Sequence, residues 1–204
     1  MLAFLLTVLL LLGTPGPGVL ALAGVGAAFG KRSGLGFFAG LLLGHNLISL
    51  AVVGGLAAAF LTIPALATGF AVLSALYLLW LALKIGSAGS KFEFAQQSSA
   101  PRFLDGILLQ AANPKAYAVS LAVFANFNLD YGSPAVEIVF KFIAFNAVWI
   151  VSHGTWLALG VWLKQLGFNA RMQSQINIAL ALALVIAVLL IVFANGFWLS
   201  SSTI

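Results

Sequence analysis

The sequence predicts an all-α, polytopic membrane protein: six transmembrane helices in two inverted three-helix repeats, the first and fourth broken at proline motifs. Three observations predict it. The chain is 63% hydrophobic and 6% charged, whereas about a quarter of a soluble domain is charged, so its solvent has to be lipid. Six apolar stretches each reach the roughly 20 residues a helix needs to cross a hydrocarbon core. Proline interrupts two of those stretches at matching places in the two halves, at Thr14-Pro15-Gly16-Pro17-Gly18 and at Asn113-Pro114-Lys115.

The spans run at roughly 2–28, 35–60, 65–86, 105–127, 136–160 and 173–197. A signal peptide is an alternative reading of the first, with an apolar core at Leu2–Leu12 and Ala21-Leu22-Ala23 behind it. It lacks a positive leading region and stays apolar to Phe29, so the segment is retained as a membrane helix. Lys31-Arg32 and Gly34 form a tight connection to the second span, where Gly36, Gly40 and Gly44 recur every fourth residue. Small residues at that spacing let backbones approach; the seam fits either a span of the same chain or a second copy in a homodimer. Tyr77, Trp80 and Lys84 read as an interfacial anchor ending the third span. In the fifth, Glu137 and Lys141 make a favourable i,i+4 pair, and Lys141 is expected to snorkel to the interface. The sixth span completes the second repeat. The whole of 1–204 is thus one transmembrane domain, with 1–90 as the first repeat and 101–204 as the second.

The spans are oriented by charge. Lys31, Arg32, Lys84, Lys91, Arg102, Lys164 and Arg171 all fall on one side, while Leu61–Pro64 and Asn128–Pro134 hold no Lys or Arg. The positive-inside rule makes the basic side cytoplasmic and puts both termini outside. Three spans per half is an odd number, so the second half enters inverted, as in many secondary transporters.

Several function classes fall away. With no cysteine there is no disulfide, thiolate metal site or Cys nucleophile. The net charge of +5 has no basic run with interleaved aromatics, so no nucleic-acid partner is expected. No HExxH, GxSxG or P-loop pattern occurs. The reading is a non-enzyme with no cofactor and no metal, whose partners are the bilayer and a small-molecule substrate. Any pumping would draw on an ion gradient.

Proline inside a helix frees backbone groups, and within a bilayer these are tolerated only where protein or a wet cavity meets them. Interrupted spans in corresponding halves therefore point to a transporter's substrate site. Pro15 lies about 20 Å of helix, and Pro114 about 14 Å, from the ends of their spans, near the middle of a core about 30 Å thick. Lys115 is the sharpest single residue, because a lysine at that depth costs several kcal/mol and by default marks function. Asn46 and Asn146 follow the two motifs at nearly equal spacing, with substrate contact and bundle-holding hydrogen bonds as equal readings. Asn46 shares a face with Ser49, and Asn146 with His153. Substrate contact is thus assigned to Pro15, Gly16, Pro17, Asn46, Asn113, Pro114, Lys115 and Asn146, and ion coupling to His45, His153 and Asp105. Ser120, Ser152 and Thr155 read as hydroxyls bonded to the preceding turn. The four acids, Glu93, Asp105, Asp130 and Glu137, sit in loops or near span ends.

These elements resemble the LysE family of bacterial amino-acid exporters. The resemblance rests on Thr14-Pro15-Gly16-Pro17, on Gly30-Lys31-Arg32-Ser33-Gly34 leading to Gly40 and Gly44, on Ala75-Leu76-Tyr77-Leu78-Leu79-Trp80, and on Phe103 with Gly106 before Asn113-Pro114-Lys115. It covers most of 10–128 and thins afterwards. The chain departs from the pattern at Gly18, where many relatives carry Asp or Asn, and at Ala82 and Ala125. The resemblance implies export of amino acids or their derivatives, driven by the proton motive force, across the bacterial cytoplasmic membrane. Lys115 and half-helix N-termini would then hold a carboxylate, with unwound carbonyls and the amides of Asn46 and Asn146 holding an ammonium. With no acid clearly inside a span, a neutral substrate is expected rather than lysine or arginine. The competing readings are an ion or divalent-metal exporter of similar architecture and a non-transporting membrane scaffold.

Overall fold

The computed structural model describes residues 1–55, 64–87, 100–125, 127 and 129–201. Among them the chain forms eight helices and no strand: α1 (Leu2–Gly13), α2 (Pro17–Phe29), α3 (Lys31–Val53), α4 (Pro64–Gly86), α5 (Phe103–Ala111), α6 (Pro114–Ala125), α7 (Pro134–Gln165) and α8 (Ala170–Ser201). Pro17, Pro114 and Pro134 open helices. Their fixed φ suits the first helical position and their missing N–H has no intrahelical partner there.

Helices α3 and α7 and the stretch 170–187 of α8 are each long and apolar enough to cross a membrane. So is the pair α1 and α2, bent by 50° at its break. The outward faces are apolar as well: Leu10, Leu83 and Val151 are 70–73% exposed. That pattern belongs to a multi-pass protein whose surroundings are lipid. The interior is packed by Phe4 and Val8 of α1, Leu22 and Val25 of α2, Phe37 and Leu41 of α3, and Phe145, Trp149 and Leu157 of α7.

Two helix pairs meet backbone to backbone. A Cβ on Gly40 of α3 would collide with the carbonyl of Phe103, and one on Gly106 of α5 with the carbonyl of Phe37. At Gly44 a Cβ would stand 2.8 Å from Gln110 Cβ. The glycine seam of α3 is therefore filled by α5 of the same chain. Likewise a Cβ on Gly160 of α7 would strike the carbonyl of Ala23 in α2, and one on Gly26 would lie 3.1 Å from Leu157 O.

Several expectations need correction. Lys31 and Arg32 are not in a connecting loop but in the first turn of α3. Gly30 alone, at φ +85°, separates α2 from α3, a left-handed angle that glycine reaches without penalty. Gly34 is no turn residue either; it packs against Leu157. Helix α3 ends at Val53, residues 56–60 of its expected span lie outside the described residues, and α7 and α8 exceed their expected spans at both ends. Lys141 does not snorkel. It is 3% exposed and lies 2.6 Å from Glu137 Oε1, and it donates to Phe127 O at 2.5 Å and Phe124 O at 3.4 Å. The carbonyls at the C-terminal end of α6 have no intrahelical partner, and a buried ammonium supplies one. At the far end of α7, Lys164 Nζ donates to Ala28 O at 2.8 Å, and Gln173 Nε2 of α8 donates to Ala27 O at 3.0 Å, closing the end of α2. Tyr77 Oη donates to Asp105 O at 2.7 Å, and Lys84 Nζ stands 4.6 Å over the Trp80 ring. The connection at 61–63, the linker at 88–99 with Lys91 and Glu93, and Asn128 lie outside the described residues.

Candidate substrate site

The first break leaves the last carbonyls of α1 without helical partners, and each has to be met within the protein. Thr14 N–H donates to Leu10 O at 3.1 Å. Thr14 Oγ1 donates to Leu11 O at 2.9 Å. Ser152 Oγ, from α7, donates to Leu12 O at 3.0 Å. Lys115 Nζ donates to Thr14 O at 2.5 Å and to Thr14 Oγ1 at 2.8 Å. Ser152 therefore bonds across helices, not within its own turn. So does Ser120, whose hydroxyl meets that of Ser49 at 3.2 Å. Thr155 does bond its own helix, at Val151 O.

The second break is closed differently. Asn113 is buried, and its Oδ1 accepts the N–H of Lys115 at 3.2 Å while its carbonyl accepts that of Ala116 at 2.9 Å. Asn113 thereby caps the N-terminal end of α6. Helix α2 has no such cap: Gly16 supplies no side chain and Pro17 no N–H. The positive end of the α2 dipole is thus left without a side-chain acceptor.

Lys115 spans the two breaks. Its Cδ lies 2.8 Å from the point a Cβ on Gly16 would occupy, so the chain passes over Gly16 only because no side chain stands there. The ammonium rests at the C-terminal end of α1, where the dipole is negative. The lysine expected to wait for a substrate carboxylate holds the backbone of the other break.

Between the breaks lies a cavity of about 40 Å³, room for about three waters. It is far below the ~300 Å³ at which small-molecule pockets begin, so a substrate of amino-acid size needs it to widen. Leu11, Leu12, Val19, Ala116, Val119, Phe145 and Trp149 give it apolar walls. Its polar lining comes from Thr14, His45, Gln110, Asn113, Lys115 and His153. His153 stacks on Trp149 at 3.7 Å, Trp149 stacks on His45 at 5.2 Å, and His45 meets the edge of Phe145 at 4.4 Å. His153 Nδ1 is 3.1 Å from Trp149 O. Gly18 keeps the space open: a Cβ there would stand 3.5 Å from Asn113 Nδ2, 3.6 Å from His153 Nε2 and 3.7 Å from Gln110 Oε1.

Of the expected site residues, Gly16, His45, Asn113, Lys115 and His153 line this cavity. Pro15, Pro17 and Pro114 shape the breaks without lining it. Asn46 and Asn146 are bonded to each other instead, at 2.9 Å in both directions, which is the bundle-holding reading. Asp105 is also elsewhere: its carboxylate accepts Arg102 N–H at 2.8 Å in the first turn of α5. Sequence reasoning missed Gln110 and Trp149. Gln110 had a signal, a lone amide one turn before Asn113 in an apolar run, and Trp149 had one in its i,i+4 spacing to His153.

The family model for LysE type translocators matches residues 9–201, extending through the second half beyond the cluster of motifs. Neither a curated protein nor a solved structure matches the chain.

Proposed function

On the premise that the chain belongs to the LysE type translocator family, we propose that it is a secondary active exporter of amino acids or their derivatives. In this reading the six spans form two inverted three-helix repeats, the basic loops face the cytoplasm and both termini lie outside the cytoplasmic membrane. The proton motive force drives the cycle, with His45 and His153 as the titratable groups beside the substrate. The observation that carries the reading is the cavity between the two proline breaks. Polar groups there converge on an otherwise apolar chamber, the usual character of a small-molecule site, and no nucleotide-binding motif offers another energy source.

The test is efflux from proteoliposomes loaded with a panel of labelled amino acids, with and without an imposed proton gradient. Accumulation of label outside, accelerated by the gradient, is expected. A variant with Pro15, Pro17 and Pro114 all changed to alanine heals both breaks and should lose transport while staying folded. Equal efflux from empty liposomes and from those holding the protein would remove the proposal.

A further inference from the structure

Two polar atoms of the cavity have no partner although their side chains are almost fully enclosed: Gln110 Oε1, in a residue 3% exposed, and His45 Nε2, in one 2% exposed. Buried polar atoms are paired as a rule, so an orphan persists where a water or a ligand completes it. Both residues line the same chamber. The same chamber is lined by Gly18 at the uncapped N-terminal end of α2, which presents no side chain. Gln110 Oε1 lies 3.7 Å from the place a Gly18 Cβ would fill.

These three features have complementary polarity. A carbonyl oxygen accepts from an ammonium, and the amide end of a helix receives a carboxylate. The charge count sets the limit. No Asp or Glu lines the chamber, and Lys115 brings one positive charge that already rests on Thr14.

We infer that Gln110 is a specificity-determining residue of this site: its Oε1 receives the substrate's ammonium while the amide end of α2 receives the carboxylate. A second positive charge then has no counter-ion and faces Lys115, so the site takes zwitterions with uncharged side chains and turns dibasic ones away. His45 Nε2 gives the polar wall a second contact. The inference rests on the export reading above and names the residue that selects among its substrates.

Counterflow of labelled leucine and arginine in proteoliposomes tests it, comparing the unmodified chain with Gln110→Glu and Gln110→Met. The unmodified chain is expected to prefer leucine. Gln110→Glu should raise the arginine-to-leucine ratio about tenfold or more, since charges within a chamber this small interact strongly. Gln110→Met keeps the length, removes the acceptor and should raise the leucine KM about tenfold, with an unchanged size-exclusion profile. If Gln110→Glu does not fold, Gly18→Asp places the carboxylate on the facing wall and the same ratio is read. A ratio indifferent to the added carboxylate, with leucine transport intact, overturns the inference and leaves the export reading standing. So does an unmodified chain that prefers arginine. An unmodified chain that moves no amino acid overturns the export reading, and the inference with it.

Discussion

Asn46 of α3 and Asn146 of α7 hold each other by two hydrogen bonds of 2.9 Å, each amide donating once and accepting once. The remaining N–H of each is used within its own helix, on Leu42 O at 2.9 Å and Phe142 O at 3.0 Å. Every amide N–H of the pair is therefore placed. Asn46→Leu or Asn146→Leu strands the other amide and should destabilise the protein by about 1–2 kcal/mol. The double leucine variant should cost less than the two singles summed, with a coupling of about 1 kcal/mol. Thermal unfolding of the four proteins in detergent measures it, and strict additivity would show that the pair does not act as one.

The glycine seam gives a sharper contrast. A Cβ on Gly40 would enter the Phe103 carbonyl, whereas at Gly36 the nearest atom would be 3.8 Å away. Gly36→Ala should leave stability unchanged within about 0.5 kcal/mol. Gly40→Ala should force α3 from α5 and cost about 3 kcal/mol or more. Melting temperatures of the two variants decide the matter, and equal values would contradict the close approach.

Lys115 and Gly16 should behave as one unit. Gly16→Ala puts a methyl group where the lysine stem passes and should displace the ammonium from Thr14, as Lys115→Met removes it outright. Each is expected to reduce the initial transport rate about tenfold or more, and the double variant should be no slower than the worse single. Rates that multiply in the double variant would separate the two residues.

The proposed orientation is open to chemistry because the chain has no cysteine. Single cysteines at Ser133 and Arg171 should label differently with an impermeant thiol reagent on intact cells, the first reacting and the second not. Labelling at 171 from outside would invert the topology.

How much of this was legible beforehand depends on what each residue needs. The breaks were readable because a proline without an N–H ends a helix whatever surrounds it. Lys115, Asn113, His45 and His153 stood out because polar side chains are scarce in apolar spans. Gln110 carries a positional signal one turn before Asn113, but that its Oε1 is left without a partner is a property of packing rather than of spacing. Asn46 and Asn146 could be matched by position, yet which group each amide meets depends on how α3 and α7 are rotated. Lys141 was misread for a related reason. Its burial follows from the last turn of α6 and the backbone after it, whose carbonyls at Phe124 and Phe127 accept from the ammonium, and no periodicity announces that.

The two lysines of α7 have a mechanical consequence. Lys141 holds the end of α6 and Lys164 the end of α2, about 35 Å apart along a single unbroken rod. Between them Gly160 rests backbone on backbone against Ala23, and Asn146 and Ser152 bond the rod to α3 and α1. One helix thus fastens the end of α6 and the end of α2 across a distance comparable to the hydrocarbon core's thickness of about 30 Å, so displacing either end strains a bond to the same rod.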